Sequence, residues 1–258
     1  MIVEYHRPET LEQAQKLLNR STPRTIPLGG GTMISRPAHD PIAVVDLQSL
    51  GLDKIVNDES ILKIGSMVRL QSLVDTADLP EGLSQCSRRE TNINLRRAVT
   101  VGGLLMTSDG NSPLMGCFLA LDAKVYWETG NKFNYLADWI GKNREKNPGK
   151  LITGIEFTLP EKIIYEDIAR SPEDRPIVYV VAATWSTGET RVVVGGTGEY
   201  PIIASDGSNN LIDKLFDRHS SASVLKKSGY DDYQQAAIQT LIERIAPQKG
   251  IFGRKGDQ

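Results

Sequence analysis

Two stretches, Leu28-Gly29-Gly30-Gly31-Thr32 and Thr100-Val101-Gly102-Gly103, decide how this chain is read. In each, glycines follow a short β segment. Consecutive glycines there permit positive φ and leave bare amide donors facing one point. Two such clusters that converge can cradle a pyrophosphate, with the hydroxyls of Thr32 and Thr100 as added donors. The plainer alternative is a pair of tight turns where elements pack closely. Neither cluster continues as G-x-G-x-x-G opening a helix with an acid about 20 residues on, and no G-x-x-x-x-G-K-[ST] occurs. A Rossmann dinucleotide site and a P-loop are therefore both unsupported.

Working outward, Ile2–Tyr5 reads as a strand, and Thr10 can cap a helix whose positions Leu11, Ala14, Leu17 and Leu18 follow helical spacing. Thr25–Leu28, Val44–Leu47 and Ile61–Ile64 read as strands, and a helix begins at Leu70–Val74. This strand–helix–strand alternation with short connections predicts an α/β architecture. Arg88–Arg97 is polar and basic. Leu114–Leu121 reads as a buried helix, Ala123–Trp127 as a strand, Thr129-Gly130 as a turn, Phe133–Ile140 as a helix and Gly141–Lys150 as a solvated loop. Leu151–Leu159 is a strand stopped by Pro160. A second unit starts near Glu161, with a hairpin of Ile177–Thr184 and Arg191–Val194 turning through Gly188. Tyr233–Ile245 forms a last helix, and Gly250–Gln258 reads as a frayed tail.

Composition narrows the classes. Among 258 residues, 30 basic and 32 acidic side chains leave a net charge of −2, which removes the electrostatic case for a dedicated nucleic-acid binder. Two cysteines, Cys86 and Cys117, are too few for a disulfide scaffold or a Cys-rich iron–sulfur or zinc site. No apolar run approaches membrane-spanning length, and the first residues lack a signal-peptide pattern, so a cytoplasmic protein without membrane insertion is expected. The 23 glycines are about 9% of the chain against an average near 7% and come in clusters.

Other chemistry-bearing residues give weaker signals. His6, His39 and His219 have no partner at metal-ligand spacing and read as surface histidines, so no metal site is expected. Asp109 can accept a ribose or ribityl hydroxyl or simply start a turn. Arg88, Arg89, Arg96 and Arg97 form a basic cluster that can face a phosphate, a partner or water. Trp127, Trp139 and Trp185 read as half-buried packing, and no nucleophile–base pair is discernible, so no catalytic residue is assigned.

In order along the chain, these residues resemble the FAD-binding (medium) subunit or domain of the molybdopterin hydroxylases, the xanthine dehydrogenase and carbon monoxide dehydrogenase type with a PCMH-type FAD fold. The family's Ala-Gly-Gly-Thr-Asp-Leu is matched by Gly29-Gly30-Gly31-Thr32-Met33-Ile34, and its Leu-Ile-Asp-Ile by Val44-Val45-Asp46-Leu47. Leu62-Lys63-Ile64-Gly65-Ser66 follows Leu-Arg-Ile-Gly-Ala. Asn94–Leu104 follows Ile-Arg-Asn-x-Gly-Thr-Ile-Gly-Gly-Asn. Leu119–Ala123, Leu151–Ile155, Tyr165–Arg170, Asp174–Val178 and Asp231–Tyr233 continue the pattern. Four positions depart from it: Leu104 replaces the Asn after the second glycine pair, Pro113 a frequent Asp, Met33 the Asp after the first loop, and Glu166-Asp167 stand where a lysine is common near the start of the last domain.

The resemblance implies a mixed α/β (α+β) fold. A two-subdomain FAD-binding domain would span 1–160, with subdomains of about 1–55 and 56–160. A small C-terminal domain, 161–258, would carry an antiparallel sheet and helices. It implies FAD held at Leu28, Gly29, Gly30, Gly31, Thr32, Met33 and Ile34 and at Thr100, Gly102 and Gly103. Asp109 would face the ribityl region, Leu151 the adenine or ring edge, and Tyr165 the approach to the flavin. It implies an electron-transfer subunit served by a molybdopterin-binding large subunit and a [2Fe–2S] small subunit, with NAD or another acceptor. The alternative it leaves open is a diverged scaffold or assembly protein of the same fold without flavin.

Overall fold

A computed structural model of the chain describes residues 1–34, 40–128, 132–141, 151–208 and 229–245. The readings for His39, His219, Thr129-Gly130, the 142–150 loop and the 250–258 tail lie outside these residues.

Among the described residues, three sheets carry the fold. The first is parallel, with β1 (Ile2–His6) and β2 (Arg24–Leu28) flanking β3 (Ile42–Asp46), and Leu28 stands opposite Asp46. Helix α1 (Leu11–Leu18) covers it, and Thr10 caps α1 by accepting from the Gln13 N–H, as its sequence predicts. The second sheet is antiparallel. Its order is β4 (Ile55–Asp58), β5 (Ile61–Gly65), β8 (Ile152–Thr158), β6 (Lys124–Trp127) and β7 (Phe133–Tyr135). The third is an antiparallel meander of β9 (Lys162–Ile168), β10 (Val178–Thr184), β11 (Glu189–Gly195) and β12 (Ile202–Ser208). The fold is thus the expected mixture of α and β, but among the described residues parallel pairing is confined to the first three strands. No helix among the described residues is long and apolar enough to cross a membrane.

Between β5 and β6 run α2 (Leu70–Asp75), α3 (Glu81–Glu90), the single turn α4 (Ile93–Arg96), α5 (Val101–Thr107) and α6 (Pro113–Ala120). Every residue of α6 is buried, as an all-apolar helix requires. Its Ser112 cap and first-turn Pro113 give position 113 a helix-starting role. A short α7 (Leu136–Ile140) follows β7, so the single helix expected over 133–140 is a strand and then a helix. The closing helix, α8 (Asp232–Ile245), matches its expected span to within a residue.

The third sheet is buried on both faces. Tyr179, Val181 and Ala183 pack into the main core with Leu83, Cys86, Leu114 and Phe118. Val178, Val180 and Ala182 pack instead with Ile238, Leu241 and Ile242 of α8. Such a two-sided strand reads as an unbroken apolar run rather than an alternation. Tyr179 locks the sheet to α6, since its ring lies where a Cβ on Gly116 would stand 2.5 Å from Cε2. Its hydroxyl donates to the Ser112 carbonyl at 2.6 Å. The small core beneath the first sheet is separate and holds Ala14, Leu18, Val45, Leu47, Met67 and Leu151.

Candidate functional site

The first glycine loop leaves the C-terminal end of β2, the end of a parallel strand where ligands of α/β sheets collect. Gly31 has φ +72°, a left-handed conformation that glycine adopts without a Cβ clash. Ile34 N–H donates to Gly31 O at 3.2 Å and closes a turn over Thr32 and Met33. Among the described residues, the N–H groups of Gly29, Gly30 and Gly31 meet no protein acceptor. Successive backbone donors around a left-handed residue form a concavity suited to an anion.

The second glycine stretch touches this loop directly. A Cβ on Gly29 would stand 2.7 Å from Thr100 Oγ1, and one on Gly30 would stand 2.5 Å from the carbonyl carbon of Ala98 and closer still to its oxygen. The two clusters therefore converge, and glycine at 29 and 30 is what lets the backbones approach. Both readings of the glycines apply here: they are a close-packed joint, and the joint presents open amides.

Two expectations for the second stretch are corrected. Thr100-Val101 is not a strand. Thr100 is the N-cap of α5, with Gly102 and Gly103 in its first turn. Nor are the amides there bare. Val101 N–H donates to Val68 O at 2.9 Å, Gly102 N–H to Ser66 O at 2.8 Å, Gly103 N–H to Thr100 Oγ1 at 3.2 Å and Leu104 N–H to Thr100 O at 2.9 Å. The physical reason is that the preceding loop, Gly65–Val68, folds back and supplies acceptors that a helix start would otherwise lack. Ala98, Ser66 and Val68 thus shape the site, and nothing in their side-chain types announces it. Leu104 is 3% exposed and faces the main core.

The remaining candidates are dispersed. Thr32 is half-buried and Met33 is 45% exposed on the loop's outer side. Asp109 follows the far end of α5, a helix length of about 10 Å from Gly102. Its Oδ1 accepts from Asn111 N–H at 3.0 Å, and the neighbouring Gly110 pairs with Gly196 and Gly198 beyond β11. Leu151 is buried in the small core under the first sheet. Tyr165 stands on β9 in the main core, its ring 6.2 Å from that of Tyr179, and among the described residues its buried hydroxyl, which lies near Arg89, makes no hydrogen bond of ordinary geometry. Burial and the nearby Asp167 push that phenol well above its usual range.

The charged groups near Asp109 and Tyr165 are held. Glu90, almost wholly buried at the end of α3, accepts from Ser112 Oγ at 2.8 Å and Leu114 N–H at 3.1 Å, and burial raises its pKa. Arg89 pairs with Asp167 at 2.6 Å. Among the described residues no group of three or more His, Cys, Asp or Glu side chains is placed to hold a metal ion. Trp139 is 1% exposed and Trp127 6%, so both are more deeply buried than expected.

Comparison with known proteins places this geometry. Residues 1–160 match the family model described as FAD binding domain in molybdopterin dehydrogenase. The protein YgfM of Escherichia coli (strain K12) is 32% identical over 142 residues, which cover 53% of this chain and 55% of that protein. The chain spans about half the length of the curated relatives it matches. Among solved structures, quinoline 2-oxidoreductase from Pseudomonas putida 86 superposes with a TM-score of 0.75 at 17% identity, covering 94% of this chain and 95% of that one. Carbon monoxide dehydrogenase from Hydrogenophaga pseudoflava gives 0.77 at 16% identity over 93% and 94%. The enzyme of the same kind from Oligotropha carboxidovorans gives 0.75 at 20% identity over 93% and 95%. At these identities the structures report a shared fold.

Proposed function

We propose that this chain, which belongs to the family of FAD binding domains in molybdopterin dehydrogenases, is the flavoprotein subunit of a molybdenum hydroxylase that relays electrons from [2Fe–2S] clusters on a partner to an external acceptor. FAD is the family's cofactor. The observation that carries the reading is the loop Gly29–Gly31, whose amides lack protein acceptors among the described residues and which is wedged against Ala98–Thr100. Those residues fit an anionic diphosphate.

Gly29, Gly30 and Gly31 would donate to the diphosphate, and Thr32, Met33 and Ile34 would close the loop beside it. Thr100, Gly102 and Gly103 would act as the wall that positions this loop. Asp109 would reach the ribityl hydroxyls, Leu151 would back the ring edge, and Tyr165 would border the flavin approach. Bound FAD supplies the redox chemistry, while the chain binds, orients and shields it. With two cysteines in this chain, against the four thiolates of a plant-type [2Fe–2S] cluster, the clusters and the molybdopterin would reside on partner chains. The division at about residue 160 and a cytoplasmic setting accompany this reading.

The test is an absorbance scan of the purified protein, followed by titration with FAD and by co-purification from its native source. A two-banded flavin spectrum with molybdenum- and iron-containing partner chains is the expected result. A colourless protein that ignores added FAD overturns the reading in favour of a flavin-free scaffold.

A further inference from the structure

The basic cluster Arg88, Arg89, Arg96 and Arg97 sits around α4, and the structure gives it a second property. None of α4's residues is buried, and Ile93 and Leu95 are 45% and 43% exposed. Yet the turn is fixed. Asn92 Oδ1 accepts from Leu95 N–H at 3.0 Å. Arg96 donates from Nε to Gln71 Oε1 at 2.9 Å and from Nη1 to Arg88 O at 2.8 Å and to Thr91 O. Arg69 donates to Arg97 O. Arg69, Arg88, Arg96 and Arg97 therefore all lie on, or are hydrogen-bonded to, the pinned and exposed turn that carries these two aliphatic side chains. The carboxylates bonded to this group are Glu81, on Arg88 at 3.1 Å, and Asp75, reached through Gln71 at 2.8 Å. A fixed apolar centre with a charged rim has the anatomy of a protein interface, and its rigidity lowers the ordering cost of binding.

We infer that the α4 protrusion is a docking surface for a protein partner that presents a cluster of carboxylates around an apolar contact. Guanidinium groups recognise carboxylates in a fixed fork, which suits an acidic protein face. Aliphatic rather than aromatic side chains at the centre, Ile93 and Leu95, offer no stacking platform for bases. A single turn with two aliphatics buries too little to hold a bilayer. The protrusion also borders the first glycine loop, because Gly30 packs on Ala98, so a partner docked here lies beside the site proposed for FAD. The inference itself does not depend on flavin being bound.

The experiment uses the full chain and a fluorescein-labelled peptide of repeated Glu-Glu-Leu, read by anisotropy. Binding is expected at low salt and weakens roughly tenfold as ionic strength shortens the Debye length. Arg97→Glu weakens binding at least about tenfold, Leu95→Ser about threefold or more, and Arg24→Glu, at the end of β2 opposite the glycine loop, less than about twofold. Ile93→Ser carries the same test should Arg97→Glu fail to fold, which circular dichroism reports. Absence of peptide binding, equal loss in Arg24→Glu and Arg97→Glu, or tighter binding of oligothymidine or phosphatidylserine vesicles overturns the inference.

Discussion

Replacing Gly30 by alanine tests the joint between the two loops. The added Cβ would stand 2.5 Å from the Ala98 carbonyl carbon and closer to its oxygen. Ordinary carbon contacts lie near 3.5–4.0 Å, so the loop must retreat by at least about 1 Å. The obstacle is backbone, which cannot rotate away as a side chain would. Overpacking of this kind costs about 1–3 kcal/mol. For a chain of this size each kcal/mol lowers the melting temperature by about 2–4 °C. The larger effect falls on ligand binding. A retreat of this size misdirects the amides of Gly29–Gly31, and losing one or two hydrogen bonds to a charged group, at about 1.5–3 kcal/mol each, weakens FAD binding roughly 10- to 10,000-fold. The assay is FAD titration by flavin fluorescence alongside a thermal melt. Gly51→Ala is the control, because Gly51 has positive φ, +66°, but no atom within 4 Å of its Cβ position. It should lose stability through backbone strain and keep its FAD affinity. If Gly30→Ala binds FAD within about twofold of the wild type and melts unchanged, the loops are not coupled as described.

Thr100→Val removes the hydroxyl that accepts from Gly103 N–H and should cost about 1 kcal/mol in urea unfolding, whereas Thr100→Ser keeps the cap and most of the stability. Glu90→Gln tests the buried carboxyl. Its folded pKa is raised above the ordinary 4.5 by burial, so the native state binds the proton more tightly than the unfolded chain does. Wild-type stability relative to Glu90→Gln should therefore rise as pH falls from neutral through that elevated pKa and level off below 4.5, as followed by denaturant midpoints. Tyr179→Phe leaves the ring between α6 and the third sheet but strips the Ser112 carbonyl of its 2.6 Å donor, and should cost about 1–2 kcal/mol by the same measurement.

Where apolar periodicity or a cap carried the signal, the sequence was legible. Helices α1, α6 and α8 and strands β1, β3, β5 and β10 all stand where their patterns put them. Helix α3 escaped because its buried face is largely polar. Ser84 Oγ donates to Leu73 O at 3.0 Å, Ser87 Oγ to Leu83 O at 2.9 Å, and Glu90 is satisfied by Ser112 and Leu114. A hydrophobic template sees only Leu83 and Cys86 there. Strand β12, Ile202–Ser208, escaped because Ser, Asp and Gly interrupt it, and its pairing with β11 overrides that weak propensity.

At the site, the glycines showed that two backbones needed room, and their convergence followed. Their spacing did not show which backbone groups would already be engaged. That depends on Gly65–Val68 folding onto the start of α5, a contact across more than thirty residues that leaves no local mark. The same loop geometry turned a stretch read as a strand into a capped helix. Asp109 illustrates the converse limit: it lies close to the glycines in sequence, but a full helix separates them in space.

Amide chemical shifts of the glycines during FAD titration test the binding assignment most directly. Gly29, Gly30 and Gly31 should shift and gain protection from exchange, while Val101 and Gly102, already bonded to Val68 and Ser66, should hold their protection. Shifts centred on Gly102 and Gly103 with Gly29–Gly31 unmoved, or no response to FAD at all, would contradict the assignment of the diphosphate to the first loop.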